Sequence, residues 1–161
     1  MKRHLQVFLL AIAFDIYWTL VVLFRERGLL LWLGLAVLAC LLLKPVRRIY
    51  AILLALAGST LDATWAVTGL LRFTGESILP LWMMALWLMF ACVWNHLTEK
   101  TALPDWLLVV MAAVGGPMAY YIGEHLGAIT FLAPTFIVMS SMALGWLVLM
   151  LFFHIFTGRR Q

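Results

Sequence analysis

The chain has 161 residues, of which 66% are hydrophobic and only 11% are charged, against about 25% charged in a soluble domain. A water-soluble fold of this length cannot hide so much apolar surface, so the composition indicates a single integral membrane domain, residues 1–161. The formal charge of +4 does not indicate a nucleic-acid partner, because the basic residues flank apolar runs and form no patch.

Apolar runs of roughly the 20 residues that cross a bilayer follow one another along the chain. The first continues unbroken to Phe24, which predicts a retained first helix and not a cleaved signal peptide. Spanning backbone must satisfy its own hydrogen bonds, and no alternating strand pattern of spanning length appears, so helices are expected. We predict an all-α, polytopic membrane helical bundle with about six transmembrane helices, at residues 5–24, 28–43, 49–71, 78–97, 104–122 and 128–156.

The last of these runs, 128–156, is longer than one span requires. Proline lacks a backbone donor and interrupts helices, so Pro134 can separate a short interfacial piece from the final helix. Two interpretations stay open for this run: a single long span, or a re-entrant piece followed by a span.

Lysine and arginine are unevenly distributed between the two sides of the predicted bundle. With the N-terminus inside, the outer loops hold three of the 11 basic residues, Arg25, Arg27 and Arg72. The inner segments hold the others, Lys2, Arg3, Lys44, Arg47, Arg48, Lys100, Arg159 and Arg160. Cytoplasmic loops carry the excess of such residues, so the pattern predicts that both termini are cytoplasmic.

Two stretches, FDIYWTLVVLFRERG and LDATWAVTGLLRFTG, share residues at the same spacing. The matching pairs are Asp15 and Asp62, Trp18 and Trp65, Arg25 and Arg72, and Gly28 and Gly75. Both stretches run from inside to outside, so the match predicts parallel repeats about an axis along the membrane normal, with helices one–two and three–four as the copies. A chance match in so short a window is the alternative.

Two acids lie inside predicted spans, Asp15 in the first and Asp62 in the third. A charge at the bilayer centre costs roughly 2.5–3.5 kcal/mol on insertion scales, so each is a candidate for ligand binding or proton handling. The face of Asp62 also carries Gly58 and Ser59; small residues allow close helix approach, and the Ser59 hydroxyl can hydrogen-bond. A structural role is the alternative, because an apolar medium favours a carboxyl that is neutral or paired.

The predicted inner end of the bundle holds Asn95, His96 and His154. The two histidines are expected at one membrane depth, where proton handling or headgroup binding is one interpretation and a hydrated helix end is the other. These side chains supply too few ligands for a metal, and Cys40 and Cys92 have no metal-binding or redox spacing. No catalytic group, metal or cofactor is predicted.

The most irregular stretch is GGPMAYYIGEHLGA in the fifth span. Gly116 and Pro117 predict an interruption of the helix at mid-membrane, because proline removes a donor and kinks the helix. Freed backbone at that depth is tolerated where it lines a cavity. One interpretation is therefore an outward-facing polar pocket formed by Asp62, Arg72, Glu124 and His125. The other is a structural kink followed by a solvated loop.

Three strings carry a resemblance that covers nearly the whole chain: the G-x-x-x-D order in the third span, PLWMMALWLMF followed by NH in the fourth, and GGPMAYYIGEHLGA. In these strings the chain resembles the domain-of-unknown-function 2878 family of small bacterial inner-membrane proteins. The resemblance implies a multi-pass protein of the bacterial inner membrane, without an established activity. Members are often encoded beside fatty-acid-modifying enzymes of the cyclopropane-synthase type, which implies a lipid-related role. The residues it singles out are Asp62, Pro80, Trp82, Trp87, Asn95, His96, Gly116, Pro117, Tyr120 and Gly127.

The leading functional prediction is lipid-related small-molecule binding or transport through a polar intramembrane pocket, with membrane lipids as partners. The alternative is an accessory or scaffold subunit that packs against another membrane protein. In fold alone, the helix pattern is similar to vitamin-binding subunits of energy-coupling transporters and to the rod-shape protein of the cell-elongation complex. A lipid-modifying enzyme is disfavoured, because the histidines and the carboxylates fall on opposite sides of the bilayer and no nucleophile–base pair is visible.

Overall fold

A computed structural model of the chain describes residues 2–75, 77–101 and 103–158. Its elements follow in the order α1 (Lys2–Phe24), a 3-10 turn (Arg25–Gly28), α2 (Leu29–Leu41), α3 (Pro45–Val67), β1 (Leu71–Phe73), α4 (Leu81–Lys100), α5 (Asp105–His125), β2 (Ile129–Phe131) and α6 (Thr135–Gly158). The predicted all-α class is confirmed, and the two three-residue strands are the exception within these ranges.

Five helical stretches in the described part of the chain are long and apolar enough to cross a membrane: Leu5–Leu41, Pro45–Val67, Leu81–Lys100, Trp106–His125 and Thr135–Thr157. They confirm a multi-pass membrane protein. The first stretch has 37 residues and joins the two spans predicted at 5–24 and 28–43. Six crossings and cytoplasmic termini stay predictions. Arg159 and Arg160, which support that orientation, lie outside the described residues.

The chain turns between α1 and α2. Arg25, directly after α1, adopts a left-handed φ of 48°, and its carbonyl accepts a hydrogen bond of 3.0 Å from Trp32 Nε1. The Tyr17 hydroxyl donates to the Trp32 carbonyl at 2.9 Å. In one continuous helix these two residues would be about 22 Å apart along the axis, at 1.5 Å per residue. The bond therefore requires α1 and α2 to fold back on each other.

Several boundaries differ from the predicted spans. α3 starts at Pro45 instead of residue 49, because the fixed φ and missing donor of proline suit the first helical position. It ends at Val67 instead of 71, because Gly69 follows at φ +75° and closes the helix. The piece expected before Pro134 is a strand and not a helix, since β2 pairs with β1.

The chain divides into two compact units. Unit 1, within residues 1–59 and 81–102, holds α1, α2, the larger part of α3, and α4. At its core the buried Tyr17 hydroxyl bonds the Trp32 carbonyl. A methyl group added at Gly58 would overlap the ring of Trp87, so this glycine allows the indole to lie directly against α3.

Basic side chains hold the end of unit 1 where α2 and α4 terminate. Arg48 Nε donates to the Leu43 carbonyl at 2.9 Å, and Arg47 Nη1 donates to the Asn95 carbonyl at 3.2 Å. Carbonyls at and just after a helix C-terminus lack partners within the helix, and arginines commonly supply them, as Arg48 does after α2. Arg47 instead binds a carbonyl five residues before the end of α4, at Lys100.

Unit 2, within residues 60–80 and 103–161, holds the last turns of α3, the two strands, α5 and α6. The buried residues of α6 recur about every four positions along one face: Val138, Met142, Trp146, Met150 and Phe153. α5 is helical throughout Asp105–His125 with Pro117 inside it. The predicted interruption at Gly116 and Pro117 is therefore wrong: the proline is buried, and the helix continues past it.

The strands of unit 2 form a two-stranded antiparallel sheet. Leu71 lies opposite Phe131, Arg72 opposite Thr130, and Phe73 opposite Ile129. Leu71, Phe73 and Ile129 are buried, whereas the central pair Arg72 and Thr130 is exposed. The period of two along a strand gives this alternation, so the sheet covers apolar side chains on one face only.

The repeat predicted between the stretches at Asp15 and Asp62 is not found. After the first stretch the chain forms a 3-10 turn, and after the second it forms β1. Asp15 is exposed, whereas Asp62 has no exposed surface. The shared residues reflect similar local sequence but not similar structure.

Candidate functional site

Asp62 belongs to a continuous buried face of α3. Residues 58, 59, 62 and 65 recur at the three- and four-residue spacing of one helix face, and all four are buried. The opposite side is exposed, and there the hydroxyls of Thr64 and Thr68 each donate to the carbonyl four residues earlier, at 2.8 Å. The polar groups that face outward are thus bonded to their own helix, and the acid points into the protein.

Tyr120 of α5 supplies a partner for this acid. Its hydroxyl donates a hydrogen bond to Asp62 Oδ1, and only 3% of the residue is exposed. A buried carboxyl is tolerated only where it is hydrogen-bonded. The pair Asp62–Tyr120 thus joins α3 to α5 through a polar contact inside an apolar environment.

Two tryptophan rings pack near the pair. The Trp65 ring meets the Tyr120 ring edge-on, with centroids 5.8 Å apart and planes at 85°. An added methyl at Gly145 would lie 2.6 Å from the Trp65 ring. One at Gly116, one turn before Tyr120 on α5, would overlap the ring of Trp146. Gly145 therefore lets the Trp65 indole pack against α6, and Gly116 lets the Trp146 indole pack against α5.

The sequence singled out Gly116 and Tyr120 but not Trp65, Trp146 or Gly145 as site residues. Trp65 lies three residues after Asp62 on the same face, and that spacing was a usable signal. Nothing in the spacing of α6 distinguishes Gly145 and Trp146 from its other small and large residues. Only the packing of α6 on α5 brings them to the site.

The predicted outward-facing pocket of Asp62, Arg72, Glu124 and His125 is wrong, because Asp62 is completely buried. Arg72 is exposed on β1. A Glu124 oxygen accepts a hydrogen bond from the Phe131 backbone at 3.1 Å, and His125 Nδ1 lies 2.9 Å from the Tyr121 carbonyl. The acid therefore joins the last turn of α5 to the end of β2, and the imidazole bonds within that last turn.

The other candidates lie in dissimilar places. Ser59 is buried on the same face of α3 as Asp62, but Asp15 is exposed on α1, which contradicts an inward-facing role. Asn95 is buried, and its side chain donates to the Ala91 carbonyl at 2.8 Å. His96 and His154 are each half-buried. Within the described residues, no group of three or more His, Cys, Asp and Glu could hold a metal ion.

The apolar helices, with an acid buried among them, define a multi-pass helical membrane protein. The sequence profile of the family described as "Protein of unknown function (DUF2878)" matches residues 7–152, and the chain belongs to this family. The resemblance found in its sequence strings is confirmed. No curated protein and no solved structure matches the chain.

Proposed function

We propose that this membrane protein binds a small, lipid-related molecule, or carries it across the bilayer, with the Asp62–Tyr120 pair as the polar contact. The observation that supports this role is the complete burial of an acid bonded to a phenol between two apolar helices. An ionisable group at membrane depth is costly, and such groups mark ligand and proton pathways in membrane proteins.

The chemistry of the pair restricts the ligand. The Asp62 carboxyl accepts the Tyr120 hydrogen, so a molecule that comes between them must offer a donor to the acid and an acceptor to the phenol. A hydroxyl group meets both requirements, and so does a neutral amine. A headgroup that carries only carboxylate or phosphate oxygens without hydrogen offers no donor to the acid. We therefore expect an amphipathic molecule with a hydroxyl or amine, and not an anionic one.

Mass spectrometry of molecules that co-purify with the chain tests this role. The wild type is compared with Asp62→Asn, which keeps the size of the side chain but replaces the carboxyl group by an amide. Asp15→Asn is the matched control, because Asp15 is an acid of a predicted span that is exposed. We expect one hydroxyl- or amine-bearing molecule to be retained by the wild type and the control, and depleted about tenfold in Asp62→Asn, a loss of about 1.4 kcal/mol.

The same bound set in all three proteins would contradict the proposal. A stoichiometric membrane-protein partner retained equally by all three would instead favour the accessory or scaffold role. A bound metal lost together with enzymatic activity on lipids would favour the third role, a lipid-modifying enzyme.

We also infer six crossings in the bacterial inner membrane with both termini cytoplasmic. The fold-back at Arg25–Gly28 supports separate crossings for α1 and α2, and the distribution of Lys and Arg supports the orientation. Single cysteines at Lys44 and Arg72, both exposed positions, test it with a membrane-impermeant maleimide on intact cells. The native Cys40 and Cys92 are first replaced by alanine. We expect Arg72→Cys to react before lysis and Lys44→Cys only afterwards. The reverse order would overturn the orientation, and reaction of both before lysis would overturn the number of crossings.

A further inference from the structure

The C-terminal ends of α3 and α5 have the same backbone hydrogen bonds. Each residue of the first end corresponds to the residue 58 positions later in the second. Leu70 N donates to the Trp65 carbonyl at 3.0 Å, and Gly69 N to the Ala66 carbonyl at 3.2 Å. In α5 the same two bonds run from Ala128 to Gly123 and from Gly127 to Glu124, both at 2.9 Å. Each set is a Schellman motif, which requires a residue at positive φ; Gly69 has φ 75° and Gly127 has φ 70°.

The strands that follow continue this correspondence. β1 and β2 start and end at equivalent positions, Leu71–Phe73 and Ile129–Phe131. Two bonds outside the strands are reciprocal: Thr74 N donates to the Ala128 carbonyl and Leu132 N to the Leu70 carbonyl, each at 3.0 Å. Thr74 corresponds to Leu132 and Leu70 corresponds to Ala128, each 58 positions apart. Replacing each residue by its counterpart therefore converts one bond into the other. The segments 62–74 and 120–132 are therefore related by a local two-fold axis through the centre of the sheet.

Asp62 and Tyr120 are themselves 58 positions apart. Their hydrogen bond thus joins equivalent positions of the two segments and lies across the same axis. The burial pattern agrees: residues 58, 59, 62 and 65 of α3 are buried, and so are 116, 117, 120 and 123 of α5. Gly58 and Gly116 are also equivalent, and each lies against a tryptophan ring, Trp87 and Trp146 respectively.

Within unit 2, the last turns of α3 and α5 both end at the sheet and also meet at Asp62 and Tyr120, so they run in the same direction toward it. A two-fold axis that relates parallel helices runs along them, which is the arrangement of parallel repeats in membrane transporters. In such proteins the ligand site lies at the interface of the repeats, and the repeats move against each other to expose it.

We propose that the segments 62–74 and 120–132 are two copies of an internal repeat, and that a ligand reaches the Asp62–Tyr120 pair when the copies separate at the β1–β2 sheet. This inference rests on the proposed function and adds the route by which its site is reached. Three residue pairs of the β1–β2 sheet hold the copies together at that end. Gly69 and Gly127 lie between each helix and its strand, where a hinge must absorb a change of φ and ψ.

A reversible cross-link through the sheet tests the route. Arg72 and Thr130 are exposed and lie directly opposite each other. Such residues have Cα atoms about 4.5–5.5 Å apart, within the range of a disulfide. The double variant Arg72→Cys/Thr130→Cys, oxidised or reduced, is treated with a hydrophobic carbodiimide, which modifies carboxyl groups from within the bilayer. The modified peptides are measured by mass spectrometry.

We expect Asp62 to be modified slowly in the reduced protein and about tenfold more slowly in the oxidised one, because the reagent reacts only with the open fraction. Asp15, exposed in unit 1, is the internal control and should react equally in both. Each single-cysteine variant, oxidised in the same way, controls for the oxidant. Equal Asp62 rates in the oxidised and reduced double variant would overturn the route, as would a complete lack of Asp62 modification in the reduced protein.

The two proposals fail in different ways. If the cross-link slows Asp62 modification but Asp62→Asn retains the molecules bound by the wild type, the repeats open and the binding role is wrong. If Asp62→Asn loses the bound molecule while the cross-link leaves the Asp62 rate unchanged, the binding role holds and the route is wrong.

Discussion

Each unit of the chain contains a carboxylate with a side-chain partner, and the two carboxylates lie in opposite surroundings. In unit 1, Glu99 accepts a bond of 2.8 Å from Lys44, and 75% of the lysine side chain is exposed. In unit 2, Asp62 has no exposed surface and is bonded to the neutral phenol of Tyr120. Water and counterions weaken the first pair, and nothing comparable reaches the second. We therefore expect the surroundings of a carboxylate, more than the charge of its partner, to decide how much the stability of the fold depends on it.

The largest effect is expected from the packing that excludes water from the buried pair. Gly116→Leu places a side chain into the Trp146 ring and should lower the free energy of unfolding by more than about 3 kcal/mol, beyond ordinary overpacking. Gly115→Leu is the matched control, since nothing lies within 4 Å of an added methyl there. Thermal unfolding in detergent measures both. Equal stability of the two variants would mean that Trp146 moves aside without cost.

The second-largest loss of stability is expected when one of the two acids in the helical spans is removed, and not when the other is. Asp62→Ala removes the acceptor of the buried Tyr120 hydroxyl and should cost about 1–3 kcal/mol. Asp15→Ala, at an exposed position, should stay within about 0.5 kcal/mol of the wild type. Unfolding of both variants under the same conditions gives the comparison. A loss for Asp15→Ala as large as that for Asp62→Ala would show that exposure does not distinguish the acids.

The two helix ends of unit 2 should respond alike. Gly69→Ala and Gly127→Ala each force a side chain into the left-handed region and should cost about 1–2 kcal/mol per site. Neither added methyl has a neighbour within 4 Å, so the cost comes from the backbone. Gly34→Ala in α2 is the control; it also lies in open space and should stabilise its helix by up to about 1 kcal/mol. Costs for Gly69 and Gly127 that differ widely would argue against equivalent ends.

The smallest effect is expected at the exposed pair of unit 1. Lys44→Ala removes the ion pair with Glu99 and should cost about 0.2–1 kcal/mol, as exposed pairs typically do. The difference should disappear in 1 M salt, where screening acts within about 3 Å. The loss from Asp62→Ala should persist in the same salt. If salt removed both losses, the Asp62 pair would have to be accessible to water.

Much of the fold could be predicted from individual residues. Pro45 and Gly69 bound α3 for local reasons, a preorganised φ at one end and a left-handed glycine at the other. β2 was missed because Ile129, Thr130 and Phe131 are as apolar as a helix end, and their strand exists only through pairing with β1. Pro117 led to the opposite error, the prediction of a break where the helix is continuous. A buried proline can remain inside a helix when its neighbours pack around it.

The site was predictable in part. Asp62 could be recognised because an acid in an apolar run is costly wherever it lies. The same reasoning selected Asp15 equally, since the two acids have similar neighbours in sequence. Tyr120 could be named from a family resemblance but not assigned to Asp62, because 58 residues separate them. No local pattern reports a partner at that distance.

The amino-acid sequence alone determined the class of the protein and the approximate position of its helices, because the free energy of transfer into a bilayer adds up along each apolar run. The contacts of the folded chain were needed to learn that Asp62 faces inward to Tyr120, that Asp15 is exposed, and that the ends of α3 and α5 are built alike. Periodicity shows which residues share a helix face. Which face meets which partner depends on packing between segments far apart in the chain.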